Sequence, residues 1–201
     1  MASPAQDQAL IAAATKGDVA AARMLIDKGA SVAARDGQGR TALLLATHGN
    51  HIEVARLLIA TGADVNAKDN IQDSPFLYAG AEGRTEILKM TLAAGADLKS
   101  VNRYGGTALI PACHHGHIDT VKVLLGTKID IDHVNRLGWT ALIEAIILGD
   151  GGRTYTEIVR LLLEAGANPN IADRDGVTPM AHASRHGFAE IVRLLESRNA
   201  K

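Results

Sequence analysis

The 201-residue sequence predicts an all-α repeat solenoid of six helix-turn-helix units. Three observations carry that prediction. First, a short apolar helix opens at Gln8, Thr41, Ser74, Thr107, Thr140 and Thr178, so successive units begin 33, 33, 33, 33 and 38 residues apart. A fixed period of this size marks a repeat architecture, and the last interval places a five-residue insertion in the fifth unit. Second, apolar pairs follow sixteen and seventeen residues past each start, not counting the insertion in the fifth unit: Met24/Leu25, Leu57/Leu58, Met90/Thr91, Val123/Leu124, Leu161/Leu162 and Leu194/Leu195. No single unit can bury such a face, whereas stacked neighbours can. Third, glycine or a tolerant substitute punctuates most helix ends. One continuous domain over 1–201 is expected, with repeats at about 5–36, 37–69, 70–102, 103–135, 136–173 and 174–201.

Taken in order, the first unit places an N-cap at Asp7, a first helix over Ala9–Ala14 and a second helix from Asp18 to Lys28, stopped by Gly29. A capping oxygen satisfies early helix amides, and glycine past the end accepts the left-handed conformation. The second unit has a turn-forming run, Asp36-Gly37-Gln38-Gly39-Arg40, before the Thr41 cap. Asn50 stands there where other units have glycine, and His51–Ile59 forms the second helix. In the third unit Ser74 caps a helix with Pro75 at its first position, where the missing N–H is harmless. The fourth runs Thr107-Ala108-Leu109-Ile110-Pro111-Ala112-Cys113, with Pro111 expected to distort the helix. The fifth pairs Thr140–Ala145 with a second helix from Glu157. In the sixth, Glu196 replaces the apolar residue at the outer stacking position, so 178–201 is expected to be a polar cap. Lys128-Ile129 replaces the usual Gly-Ala and raises the question of left-handed strain at Lys128; Gln72 replaces a turn glycine; His182 requires a buried partner or partial exposure.

Thr-Ala-Leu or Thr-Pro-Met opening a helix, Gly116-His117-Ile118-Asp119 between helices, and Leu161 to Ala167 closing a unit resemble the ankyrin repeat. The resemblance covers about residues 7–197. Thr140–Ala145, Gly149-Asp150-Gly151-Gly152 and the run from Gly105 to Cys113 further resemble small bacterial ankyrin proteins of unassigned activity. The family implies a non-catalytic module that binds a partner protein through a concave face made of β-turn fingers and first helices, the terminal repeats acting as caps.

On that implied face the residues vary from unit to unit without a structural reason. Candidate partner-binding positions are Arg40, His48, Ile71, Asp73, Glu82, Arg103, Tyr104, His114, His115, Arg136, Leu137, Trp139, Ile147, Leu148, Arg174 and Arg185. Exposed apolar clustering around Trp139 argues against ordinary surface variation. Arg103, Arg136 and Arg174 occupy the same finger position of consecutive units and predict a basic ladder favouring a partner with an acidic segment.

A formal net charge of -1 excludes a general nucleic-acid or anionic-membrane binder, which needs excess Lys and Arg. The lone Cys113 forms no internal disulfide, no apolar run is long enough to span a membrane, and the N-terminal residues lack a secretory pattern. A cytoplasmic monomer without cofactor is expected. No nucleophile-base-orienter set is visible. Cys113-His114-His115-Gly116-His117 offers metal-ligand types but not metal-ligand spacing, so a metal-binding enzyme or sensor is the weaker alternative. An exported effector binding host proteins is a third. Gly149 to Thr154 lacks the Gly-Lys-Ser/Thr ending of a phosphate loop and is expected to be a tolerated loop insertion. The basic column Arg23, Arg56, Lys89, Lys122, Arg160 and Arg193 is matched by acids three residues earlier in five units, as a charge-balanced outer face requires.

Overall fold

The computed structural model describes residues 3–200, and twelve helices run through them, two per repeat. They are α1 (Pro4–Lys16), α2 (Val19–Asp27), α3 (Ala42–His48), α4 (Ile52–Ala60), α5 (Pro75–Ala81), α6 (Thr85–Ala93), α7 (Leu109–His114), α8 (Ile118–Leu125), α9 (Ala141–Ile147), α10 (Arg153–Glu164), α11 (Pro179–Arg185) and α12 (Ala189–Glu196). Among the described residues there is no strand beyond an isolated bridge between Arg35 and Thr41. The chain clusters into two compact units, one reaching to Ala79 and including Arg84–Asp97, the other comprising Gly80–Gly83 and the residues from Leu98 onward. Within the first, α1 packs on α2 and α3, and α4 packs on α2, α3 and α6. Within the second, α9 packs on α7, α10 and α11, while α10 also meets α8 and α12.

The stacking face follows helical periodicity more strictly than the apolar pairs suggested. Leu58, Leu124, Leu162 and Leu195 are fully buried, together with Val54, Ala55, Val121, Ile158, Val159 and Ile191 three or four residues earlier. The residue just before each leucine points outward and is partly exposed in most repeats, and Met24 is 49% exposed. In most pairs only one member therefore lies on the buried stripe, because adjacent residues sit 100° apart around a helix; Leu57 and Leu58 are both buried, and in the first repeat neither Met24 nor Leu25 is. Fully burying one such leucine contributes about 1.5–3 kcal/mol.

Four of the expected caps form as the hydroxyl chemistry requires. Thr41, Ser74, Thr140 and Thr178 accept the amides of Leu44, Leu77, Ile143 and Ala181 at 3.2–3.3 Å. In the same repeats the next amide closes the first turn on the cap carbonyl: Leu45 on Thr41, Tyr78 on Ser74, Glu144 on Thr140 and His182 on Thr178. The turn substitutes also behave as expected, with Asn50 and Gln72 left-handed at φ 53° and 70°.

Four local expectations are corrected. Ser3, not Asp7, caps α1: Ser3 and Gln6 form a reciprocal capping box with Pro4 in the first turn, which adds residues to the helix. Asp7 is thereby left to accept the Ser31 amide at 2.7 Å. Thr107 does not cap α7. Pro111 has no N–H to close the turn, so the Ile110 amide goes to the Thr107 carbonyl at 3.2 Å and the helix begins at Leu109. The Thr107 hydroxyl is left buried without a hydrogen-bond partner.

Lys128 is not left-handed. In other repeats the amide after the glycine caps the helix end, as Ala30 does on Leu25 and Ala167 on Leu162. Here Thr127 does that work: its amide and hydroxyl both donate to the Leu124 carbonyl, at 3.0 and 2.6 Å, and its hydroxyl accepts the Ile129 amide. Finally, the insertion is not merely a loop. It extends the second helix back to Arg153, and the Tyr155 hydroxyl donates to the His114 carbonyl at 2.8 Å. A Cβ at Gly151 would stand 2.2 Å from the Phe188 ring, so the inserted turn is packed between its neighbours.

Candidate binding face on fingers and first helices

Each finger is built around one Asx side chain five residues before the cap. The Oδ1 atoms of Asp36, Asp69, Asn102, Asn135 and Asp173 each accept the amides two and four residues later. This arrangement closes the tight loop without help from the core, as Asx turns do. The recurrence of Asp or Asn at that offset is visible in the sequence, and the candidate list missed it.

In the second unit the fingers interlock. Arg136 donates its amide to the Tyr104 carbonyl and its guanidinium to the Arg103 carbonyl, both at 2.9 Å. Its stem crosses Gly105, and the Arg174 stem crosses Gly138, where a Cβ would stand 2.5 Å from Arg174 Cγ. Glycine is required at Gly138 twice over, by that approach and by φ 85°. Arg103 lies over the Tyr104 ring at 5.0 Å. The three arginines thus share a finger position and are all exposed. Beside them Tyr104 is 54% and Leu137 50% exposed, Leu148 at the end of α9 is also exposed, and Trp139 and Ile147 are half-buried.

Beneath the fingertip, Asn135 donates its amide to Glu144 Oε2 at 2.9 Å. Glu144 is 7% exposed, and His114 Nδ1 stands 3.6 Å from its other oxygen. Burial pushes the Glu144 carboxyl above the usual carboxylate range, against the opposing effects of Asn135 and His115. His114 is pushed below the ordinary histidine value by burial and by neighbouring His115, whose ring centroid lies 4.6 Å away. His115 Nδ1 donates to the Ala81 carbonyl at 2.6 Å, which a carbonyl can only accept. In the last repeat the residue matching Glu144 is His182, half-buried and bonded to Asp173 Oδ2 at 2.7 Å. The Asp173 carboxyl is held low by the Val177 amide and then by His182.

The other candidates lie outside this cluster. In the compact unit reaching to Ala79, Arg40 spends its guanidinium on Asp36 at 2.7–2.8 Å, and His48 stacks on Tyr78 of the next repeat with ring centroids 4.0 Å apart. Ile71 is exposed and Asp73 half-buried. Glu82 is half-buried beside Gly83, and Arg185 is exposed at the end of α11. The Cys113 to His117 run does not converge: Cys113 is buried, with its thiol ionisation pushed up by burial and by Glu144, and His115 is turned to Ala81. No group of three His, Cys, Asp or Glu among the described residues is placed to hold one ion. On the outer face Arg56, Lys89, Arg160 and Arg193 pair with Glu53, Glu86, Glu157 and Glu190.

The chain belongs to the ankyrin-repeat family. A model described as ankyrin repeats in three copies matches residues 2–69 and 76–173, and one of many copies matches 152–196. Among solved structures, an ankyrin repeat domain (ABAYE2397) from Acinetobacter baumannii AYE is 56% identical, with TM-score 0.93 over 96% of this chain and 98% of that one. The ankyrin repeat protein EF0377 is 47% identical at TM-score 0.91, covering 94% of this chain and 97% of that one. The ankyrin repeat domain of Bcl-3, described as a member of the IkappaB family, is 28% identical at TM-score 0.85, covering 96% and 86%. A curated relative, the putative ankyrin repeat protein YahD of Escherichia coli K12, is 52% identical over 52 residues, 26% of each chain. The match thus spans about a quarter of that relative's length. The fold is the family's all-α repeat solenoid, which generally serves as a non-enzymatic protein-binding scaffold. No helix among the described residues is long and apolar enough to cross a membrane.

Proposed function

We propose that the protein is a cytoplasmic, non-catalytic interaction module that binds a partner protein through the concave face of its fingers and first helices. The observation that carries this reading is the exposure of Tyr104, Leu137 and Leu148 in the repeats where Trp139 is half-buried and three arginines share a finger position. An aromatic anchor among apolar contacts, rimmed by arginine, has the composition of a binding hot spot. The finger is held by Asn135 before any partner arrives, which limits the ordering cost of association. Arg103, Arg136 and Arg174 favour an acidic segment and act mainly on the association rate, whereas Trp139 controls dissociation. The partner is captured by affinity pull-down, identified, and titrated against variants. Trp139→Ala is expected to weaken binding at least tenfold while changing stability by less than about 1 kcal/mol. Arg136→Glu is expected to weaken it in a salt-dependent way. Unaltered affinity in Trp139→Ala, with a large loss of stability, would assign Trp139 to packing instead.

A further inference from the structure

The face proposed above contains one charge that the chain itself leaves poorly balanced. Glu144 is nearly buried where α9 packs on α7, and its partners are the Asn135 amide on Oε2 and the His114 ring, 3.6 Å from Oε1. A carboxylate in such a place normally faces a cation or several firm donors. Here it has one neutral donor and a histidine beyond hydrogen-bond distance. His114 is a poor counterion, because burial and His115 both oppose its protonation. His115 gives Glu144 no hydrogen bond, its Nδ1–H being committed to Ala81, and acts on the carboxylate only through its charge when protonated.

Oε1 is the carboxylate oxygen on the histidine side. The His114 side chain beside it is 39% exposed, and His115 is exposed. The His114 ring stands beside the carboxylate, and the His115 ring centroid lies 4.6 Å from that of His114. Tyr155 fixes the His114 backbone from the other side. A planar, weakly hydrated cation able to stack and to donate to an oxygen suits that geometry better than a compact, strongly hydrated ammonium.

We infer that Glu144 is the receptor for one arginine side chain of the bound partner, taken up beside His114 and His115 under the Trp139 finger. The inference rests on the reading of this face as the binding surface, and it adds that the partner presents a guanidinium together with its acidic segment. Bound there, the guanidinium donates to Glu144 Oε1, the carboxylate keeps the Asn135 amide on Oε2, and the fingertip loop remains closed.

The test uses the whole isotopically labelled protein and a small probe, so it does not depend on finding the partner. N-acetyl-arginine amide is titrated while the Asn135 side-chain amide is followed by NMR. The expected result is a saturable shift, at least tenfold weaker with N-acetyl-citrulline amide, which has the same shape without the charge. Glu144→Gln is expected to abolish the response. His114→Lys, which supplies an internal ammonium while keeping the carboxylate, is expected to abolish it as well. Absence of the shift in the wild type, an equal response to citrulline, or a response retained in either variant overturns the inference; tighter binding of N-acetyl-lysine amide overturns the assignment to arginine. None of these outcomes bears on whether Trp139→Ala releases the partner, so the two proposals fail separately.

Discussion

The repeats opening at Thr107 and Thr140 begin with the same four residues, Thr-Ala-Leu-Ile, and part at the fifth, which is Pro111 in one and Glu144 in the other. That difference decides how each helix starts. With Glu144, the fifth residue's amide closes on the Thr140 carbonyl, the Ile143 amide goes to the Thr140 hydroxyl, and the helix begins at Ala141. With Pro111, the carbonyl takes the amide that the hydroxyl should have had, the helix begins later, and the buried Thr107 hydroxyl is stranded. The same position also sets what lies under the fingertip. Glu144 reaches Asn135, whereas the ring of Pro111 has nothing to offer Asn102. A shared repeat frame thus supports one repeat with a chemically equipped finger and one whose first turn is compromised.

The largest effects concern what the two repeats have in common. Leu124 and Leu162 hold the same place on their second helices and are both fully buried. Either change to alanine is expected to cost about 2–5 kcal/mol in denaturant melts. A loss well below that for one of them would show that the stacking is not equivalent.

The helix ends separate the repeats next. Removing the Thr127 hydroxyl with Thr127→Val loses two hydrogen bonds and is expected to cost about 1–3 kcal/mol. Lys128→Gly is expected to give no gain, since Lys128 is not left-handed and glycine adds unfolded-state entropy. A clear stabilisation by that glycine would contradict the Thr127 account. The Thr140 repeat ends at Gly166 with φ 99°, so Gly166→Ala is expected to destabilise it.

Smaller effects appear in the pH dependence, with opposite signs for the two polar fingers of the second unit. Glu144 has its folded pKa raised, so the folded state holds a proton that the unfolded state has already released, and stability falls as pH rises through that interval. Glu144→Gln is therefore expected to be more stable relative to the wild type at neutral pH, a gain that disappears on acidification below the ordinary carboxylate range. Asp173 is held low, so its contribution is present above the unfolded pKa and lost as pH falls through the folded one. Asp173→Asn is expected to be less stable at neutral pH, with the deficit closing in acid. Thermal melts from pH 3 to 8 of both variants check the signs.

The fold was legible because a 33-residue period, recurring caps and recurring glycines all report on backbone conformation, which local residues determine. Asn50 and Gln72 took the left-handed positions, and Thr41, Ser74, Thr140 and Thr178 became caps, for that reason. Thr107 shows the limit of position-by-position reading: the cap residue is present, but the amide that frees its bond belongs to a residue four places on. Lys128 shows it again, because Thr127 supplied an alternative helix end. Much less of the candidate site was legible. Trp139, Leu137 and the arginines stood out by their exposure-prone types, yet the Asn135 to Glu144 bond joins residues nine apart across finger and helix. Glu144 stands in an otherwise apolar helix, and Tyr155 falls between the expected loop, Gly149 to Thr154, and the expected helix start at Glu157.

The most direct test of the contrast between the two repeats is a double-mutant cycle on Thr107 and Pro111. Thr107→Val alone is expected to leave stability unchanged or raise it, because the hydroxyl has no partner to lose. In a Pro111→Ala background the restored amide closes the turn on the Thr107 carbonyl, the hydroxyl regains Ile110, and Thr107→Val is then expected to cost about 1 kcal/mol, as Thr140→Val does in the wild type. A coupling of about that size between Thr107 and Pro111 is the predicted result. A Thr107→Val penalty of similar size in both backgrounds would contradict the account, since it would mean that the fifth residue does not govern the cap.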